Sequence, residues 1–161
     1  MGLNDVSNIL WRERQLLELL VFKLEEEQLV LAAGRTRWLS HATREVETVL
    51  EEIKRIELER AVEVESVAGE LKLSSAPSLR ELATVTPTPW NKIFEEHRRA
   101  LLESAQEIDS VAKANRDLLS RGHQAAREAL ATIGQLEIDS YTPSGAAAAG
   151  SLGLRLIDEA I

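Results

Sequence analysis

The chain has no cysteine, only four prolines and no run of basic residues along its 161 positions. Each shortage excludes something. Without cysteine there are no disulfides and no thiolate chemistry, which suits a cytosolic protein without requiring one. Nineteen Lys and Arg stand against 27 Asp and Glu, a formal charge of −8. An acidic chain of this kind is a poor partner for nucleic acid or an anionic membrane. Long hydrophobic runs are also missing. The longest apolar cluster, LLELLVFKL, is broken by Glu18 and Lys23 and meets three glutamates, so it is too short and too charged to cross a bilayer. The first fifteen residues hold no basic segment followed by an apolar core, so no signal peptide is expected. Two of the prolines fall in one TPTP stretch, which leaves long tracts free for helix.

What is present fits those tracts. Hydrophobic residues make up 44% and charged residues 29%, the balance of a helical domain with a real core. The longest tract runs from Pro89 to about Leu136. Thr88 is the expected N-cap, and Pro89 suits the first helical position. Phe94, Leu101 and Ile108 recur at sevens, and the file continues through Asn115, Gly122, Ala129 and Leu136. A second file holds Ala105, Ala112, Leu119, Ala126 and Ile133. Together they draw an apolar stripe along a helix on the order of 70 Å long. Such a rod needs partners, and the first half of the chain supplies two.

The first partner is expected at about residues 5–33, capped by Asn4 or Asp5 and closed by Gly34. Its inner stripe is Val6, Ile9, Leu10, Leu17, Leu20, Leu24 and Leu31. Leu16, Leu19, Val21 and Phe22 widen the apolar surface, which implies two neighbours or a second subunit. The second partner is expected at 36–71. Leu39, Ala42, Val46, Val49, Ile53 and Ile56 step by three and four, a left-handed coiled-coil seam. The next steps land on Arg60 and Glu63, so the stripe is read as a stutter onto Ala61, Val64, Ala68 and Leu71. Glu45, Glu47, Glu51 and Glu57 are assigned to its outer face. The short link at Gly34 makes these two helices antiparallel.

Ser74, Ser75 and Pro77 then break the helix, and Ser78 with Glu81 matches a capping box for a short helix at 78–84. The expected fold is therefore all-α: an elongated antiparallel bundle of three long helices with a short crossover helix. It occupies residues 1–137. Residues 138–161, rich in Gly and Ala, read as a flexible tail. That tail ends in an amphipathic stretch, LGLRLIDEAI, with Leu152, Leu154, Leu156, Ile157 and Ile161, too short to hold helix alone.

No catalytic grouping emerges. His41, His97 and His123 lie far apart, none has a second ligand at metal-binding spacing, and packed or solvated histidines are the simpler reading. A phosphorelay histidine is expected near a Lys and a Gly one turn later, and none has them. Glu25, Glu26 and Glu27 point in different directions on a helix and read as a solvated face. There is no phosphate-binding glycine loop. Trp11, Trp38 and Trp90 sit near predicted helix ends and read as bundle closures. Asn115, alone in an apolar file, reads as a register-fixing polar residue. Neither enzyme activity nor a cofactor or metal is expected.

Several features in order carry a resemblance. Paired leucines precede an acidic patch and a glycine turn in WRERQLLELLVFKLEEEQLVLAAGRTRW. A helix of the E-x-x-L-E-x-I-x-x-x-E-x-x-R-A kind follows at Glu47–Ala61. Then come SLRELA, a Pro-Trp pair, A-N-R-D-L-L at Ala114–Leu119, and Tyr141 with Gly145. This set resembles the FlgN family of flagellar export chaperones, in its high-GC Gram-positive form, over roughly residues 3–145. The resemblance implies a cytosolic chaperone. It would bind the hook-associated proteins FlgK and FlgL, keep them unpolymerised and help present them to the type III export gate. It also implies substrate contacts toward the C-terminus, here Leu130, Ile133, Leu136, Ile138, Leu152, Leu154, Leu156 and Ile157. Tyr141 matches the family tyrosine and is the implied contact with the gate. The competing expectation is a structural coiled-coil protein, possible as a homodimer, that self-associates through its first helix and its tail.

Overall fold

The computed structural model describes residues 2–133. Four helices account for nearly all of them: α1 (Leu3–Ala32), α2 (Thr36–Leu71), α3 (Leu79–Val85) and α4 (Trp90–Ile133). The all-α bundle follows from the seam patterns, and each turn follows from local chemistry. At the α1–α2 link, Gly34 takes a left-handed φ of 64°. The N–H of Gly34 bonds the carbonyl of Leu31, and that of Arg35 bonds Val30, so the last carbonyls of α1 are satisfied as the chain reverses. Lys72 ends α2 in the same left-handed region, at φ 55°. Ser78 caps α3: its Oγ accepts from the N–H of Glu81 at 3.2 Å, and Glu81 Oε2 accepts from the N–H of Ser78 at 2.7 Å.

Two helix starts differ from expectation. Helix α1 begins at Leu3, not at Asp5. Asp5 instead sits in the first turn and accepts from the N–H of Gly2 at 3.0 Å. Gly2 is required there, because its φ is 87° and a Cβ would lie 3.0 Å from Val67 of α2. Helix α4 begins at Trp90. The carbonyl of Pro89 accepts from the N–H groups of Lys92 and Ile93, so Pro89 is the residue before the first turn and Thr88 is not the cap.

Helix α1 lies between α2 and α4 and packs along both, and α3 packs on α4. The side-chain bonds give the directions. Ser7 and Arg14 of α1 meet His97 near the start of α4, and Leu24 and Glu27 meet Asn115 further along, so α1 and α4 run parallel. Arg60 bonds Glu13 and Thr43 bonds Glu27, so α2 is antiparallel to both. The core is one cluster that includes Val6, Leu10, Leu17, Leu20 and Leu24 of α1, Val46 and Ile53 of α2, Leu82 of α3, and Phe94, Leu101 and Ile108 of α4.

Polar residues pin this core, and several were assigned outside it. The seam of α2 does not shift to exclude Arg60. Arg60 is buried and donates to buried Glu13 at 2.9 Å; of the four residues expected in the seam beyond it, Val64 and Ala68 are buried and Ala61 and Leu71 are exposed. Burial raises the Glu13 pKa, and the Arg60 guanidinium opposes that rise. Glu27 is buried rather than solvated. It accepts from Thr43 Oγ1 at 3.0 Å and from Asn115 Nδ2 at 3.1 Å, so three helices meet at one carboxylate. Its pKa is raised by burial, and those two bonds hold the rise back. Glu57 is also buried rather than outward. Asn115 donates to the Leu24 carbonyl as well, which makes it a register pin between α1 and α4. His97 is a packed histidine. Arg14 can only donate, so Nδ1 accepts from it and the ring proton sits on Nε2, donating to Ser7 Oγ. Trp11 meets the His97 ring edge-on at 5.1 Å, with the Arg14 guanidinium 4.1 Å from the indole centroid.

Two predictions follow from these pins. Arg60→Leu leaves Glu13 buried without its partner and should cost about 3–5 kcal/mol. Glu13→Leu combined with Arg60→Leu should recover most of that loss in urea denaturation. A double variant as unstable as the single one would contradict the pairing. Burial and the Arg14 charge lower the His97 pKa to about 4, so the folded chain holds His97 neutral where the unfolded chain protonates it. The stability this gives is complete above about pH 6.5 and is lost as the pH falls toward 4. Between pH 7 and pH 5 wild type should therefore lose on the order of 1–2 kcal/mol that His97→Gln does not lose. Parallel pH profiles for the two proteins would refute the assignment.

Candidate protein-docking surface

The two hairpin helices and α4 do not end together. Glu27, Thr43 and Asn115 tie α1, α2 and α4 at one level. Within about two turns of that level, α1 finishes at Ala32 and α2 has only begun at Thr36. Helix α4 continues to Ile133. Across this end runs an open groove of about 460 Å³. Val30 and Leu31 of α1, Leu39 of α2, and Leu118, Leu119 and His123 of α4 line it, with Gly34 and Gly122 at its edges. A Cβ on Gly122 would meet nothing within 4 Å, so the groove is wide there.

Past the groove, α4 has no neighbour among the described residues that could cover it. Residues 124–129 are all exposed, and Leu130 is half-buried. The overhang from Gly122 to Ile133 is about 16 Å at 1.5 Å per residue. Its sequence is not that of a helix built to stand in water. The file that buries Ala105 and Ala112 against α1 continues unchanged through Leu119, Ala126 and Ile133. An apolar stripe that outruns its partner is an unfilled packing face. Arg121, Gln124, Arg127 and Glu128 supply the polar side, with Gln124 donating to Glu128 at 3.1 Å.

Of the residues assigned to substrate contact, Leu130 lies in the last described turns of α4, and Ile133 is that helix's final described residue. Leu136, Ile138, Leu152, Leu154, Leu156, Ile157 and Tyr141 lie outside the described residues, as do the domain boundary at 137 and the tail. The groove residues Val30, Leu39, Leu118 and His123 were not assigned to any site. Comparing helix lengths would have found them. A first helix closed at Gly34 is too short to cover a helix that starts near Pro89 and runs to Leu136, so its end has to expose α4.

The tryptophans close less than expected. Trp90 stacks on Phe94 at 5.9 Å, but Trp11 and Trp38 remain about half exposed. His41 is exposed beside Trp38, with ring centroids 5.7 Å apart. Among the described residues, no group of three His, Asp or Glu is placed to hold a metal ion. No described helix is long and apolar enough to cross a membrane.

The family model described as FlgN protein matches residues 1–149. No curated protein matches the chain, and no solved structure does. The family match spans all four helices and extends past the overhang of α4. The chain belongs to the FlgN family, whose members are flagellar export chaperones.

Proposed function

We propose that this chain is a cytosolic chaperone for hook-associated proteins of the FlgK and FlgL class. It holds them unpolymerised and presents them to the flagellar export gate. The observation that carries the reading is the apolar stripe of α4, which continues past the end of α1 over a groove lined by Leu39, Leu118 and Leu119. Protein ends that polymerise as helices carry apolar faces, and a groove beside a bare helix face accepts such a helix as a further bundle member. Leu130 continues that surface, and Ile133 is three residues further along the sequence. Leu136, Ile138, Leu152, Leu154, Leu156 and Ile157 follow along the same chain, and Tyr141 is the proposed gate contact. Nucleic acid is not a proposed partner for a chain of this charge, and membrane insertion is not proposed.

A second reading is self-association as a homodimer, and one observation favours it. Trp11, Phe22 and Leu29 lie within about 20° of one line along α1 at 100° per residue, and all three are exposed. Sedimentation separates the two. A dimer that is lost with Phe22→Glu but still binds cargo would assign that stripe to self-association and leave the α4 surface to cargo.

Cargo binding is tested by capture of FlgK and FlgL with the full chain, with Leu130→Asp and with a chain ending at Glu137. Leu130→Asp should weaken capture at least about tenfold, or about 1.4 kcal/mol. The unfolding midpoint should stay put, because Leu130 lies beyond the bundle. Unchanged capture by both altered chains would refute the surface. Tyr141→Ala should keep cargo and lose the gate; loss of cargo would refute its separate role.

A further inference from the structure

A second groove, of about 450 Å³, lies at the other end of α2 and is unrelated to the α4 overhang. Leu58, Ala61 and Val64 of α2 form one wall, and Pro77, Leu79 and Leu82 form the other. Leu58 is 70% exposed, and Val62 beside it is 72% exposed. The lining is mostly apolar, and three charged residues of α2, Lys54, Glu57 and Arg60, also line it. Glu57 faces this groove, is 7% exposed, and neither of its carboxyl oxygens has a hydrogen-bond partner. Two cations lie three residues away along α2: Arg60 is taken by Glu13 at 2.9 Å, and Lys54 makes no hydrogen bond to Glu57. A buried carboxyl with no donor is costly, and it calls for a partner that brings one. Burial and the nearby Glu13 charge push the Glu57 pKa up to about 7, against the charges of Arg60 and Lys54.

The chain carries a segment of matching character. Residues 134–161 contain a single basic residue, Arg155. It is flanked by Leu152, Leu154, Leu156 and Ile157, and followed by Asp158 and Glu159. We propose that the segment Leu152–Ile161 docks in the α2–α3 groove of its own chain, with its leucines against Leu58, Val64 and Leu79 and Arg155 on Glu57. Lys54, on the groove's rim, then faces Asp158 and Glu159. The match is two-fold: a mostly apolar cleft with one buried carboxyl that lacks a donor, and an apolar strip with one cation.

The reach is sufficient. The groove lies level with Glu13, and the end of α1 lies level with residues 119–123 of α4. At 1.5 Å per residue, Ile133 stands about 45 Å from the groove along the bundle axis. The roughly 20 residues from 134 to 154 extend to about 65–70 Å at most. The tether is therefore drawn out but not taut, and docking is correspondingly weak and exchangeable. Docking itself does not depend on the cargo reading. Its consequence does: a weakly seated end keeps its leucines from other copies of the chain until a cargo helix competes for them.

The absence of cysteine permits a clean test without cargo. The full chain carrying Leu58→Cys and Leu156→Cys is oxidised in dilute solution, alongside a Leu29→Cys, Leu156→Cys control at the opposite end of α1. The first pair should close within one chain at least tenfold faster than the control. Arg155→Glu should remove that advantage, and Glu57→Lys added to Arg155→Glu should restore it. Should Glu57→Lys unfold the protein, as a melt would show, the response to Arg155→Glu alone decides. Equal closure in the two pairs, or closure indifferent to Arg155→Glu, would overturn the docking. Cross-links between chains that rise with concentration would place the segment on a second copy and would also overturn it.

Discussion

Helix α1 is shared. Among the described residues it is the one helix that packs along both other long helices, so the core extends only as far as α1 does. Its buried file, Val6, Leu10, Leu17, Leu20 and Leu24, is what α2 and α4 close upon. Where Gly34 turns the chain back, that support ends, yet the stripe on α4 does not. The groove and the overhang are consequences of one length mismatch, and no special residue has to be invoked to make them.

The polar pins make that mismatch definite. A leucine-rich seam alone tolerates sliding by a heptad, because one layer resembles the next. Glu13 with Arg60, Glu27 with Thr43 and Asn115, and His97 with Ser7 each occur once and fit one register. Sliding α4 by seven residues along α1 would take Ser7 from buried His97 and Asn115 from buried Glu27, a loss of about 1–3 kcal/mol for each group left short of a partner. The length of α4 left uncovered is thereby fixed. Specificity in the core sets how much surface is available outside it.

Much of this was legible in the residues. The four helices, the glycine turn, the Ser78 capping box and the antiparallel hairpin all rest on local pattern, and local pattern is what sequence displays. The errors have a common source. Glu13, Glu27 and Arg60 recur at sevens with apolar residues: Val6, Glu13, Leu20, Glu27 on α1, and Val46, Ile53, Arg60, Val67 on α2. Periodicity places all three inside; residue type argued Glu27 and Arg60 outside, and Glu13 was left out of the inner stripe. Asn115 was read from its file and not from its polarity, and the same reasoning applied to the charges would have found the pins. Glu57 is a different case. It flanks the seam and shares a groove with Pro77, Leu79 and Leu82 of the crossover and α3, an arrangement no local spacing encodes. The docking groove was missed because it depends on comparing two helix ends distant in sequence.

Helix α4 is supported by α1 up to about Leu119 and, among the described residues, unsupported beyond it. Native-state hydrogen exchange along α4 tests this most directly. Amides from Phe94 to Asn115 should exchange slowly, at rates set by global unfolding. Those from Gln124 to Ile133 should exchange orders of magnitude faster in the free chain and slow when a hook-associated protein is bound. If the last three turns of α4 exchange as slowly as its middle in the free protein, that end already has a partner, and the open packing face does not exist.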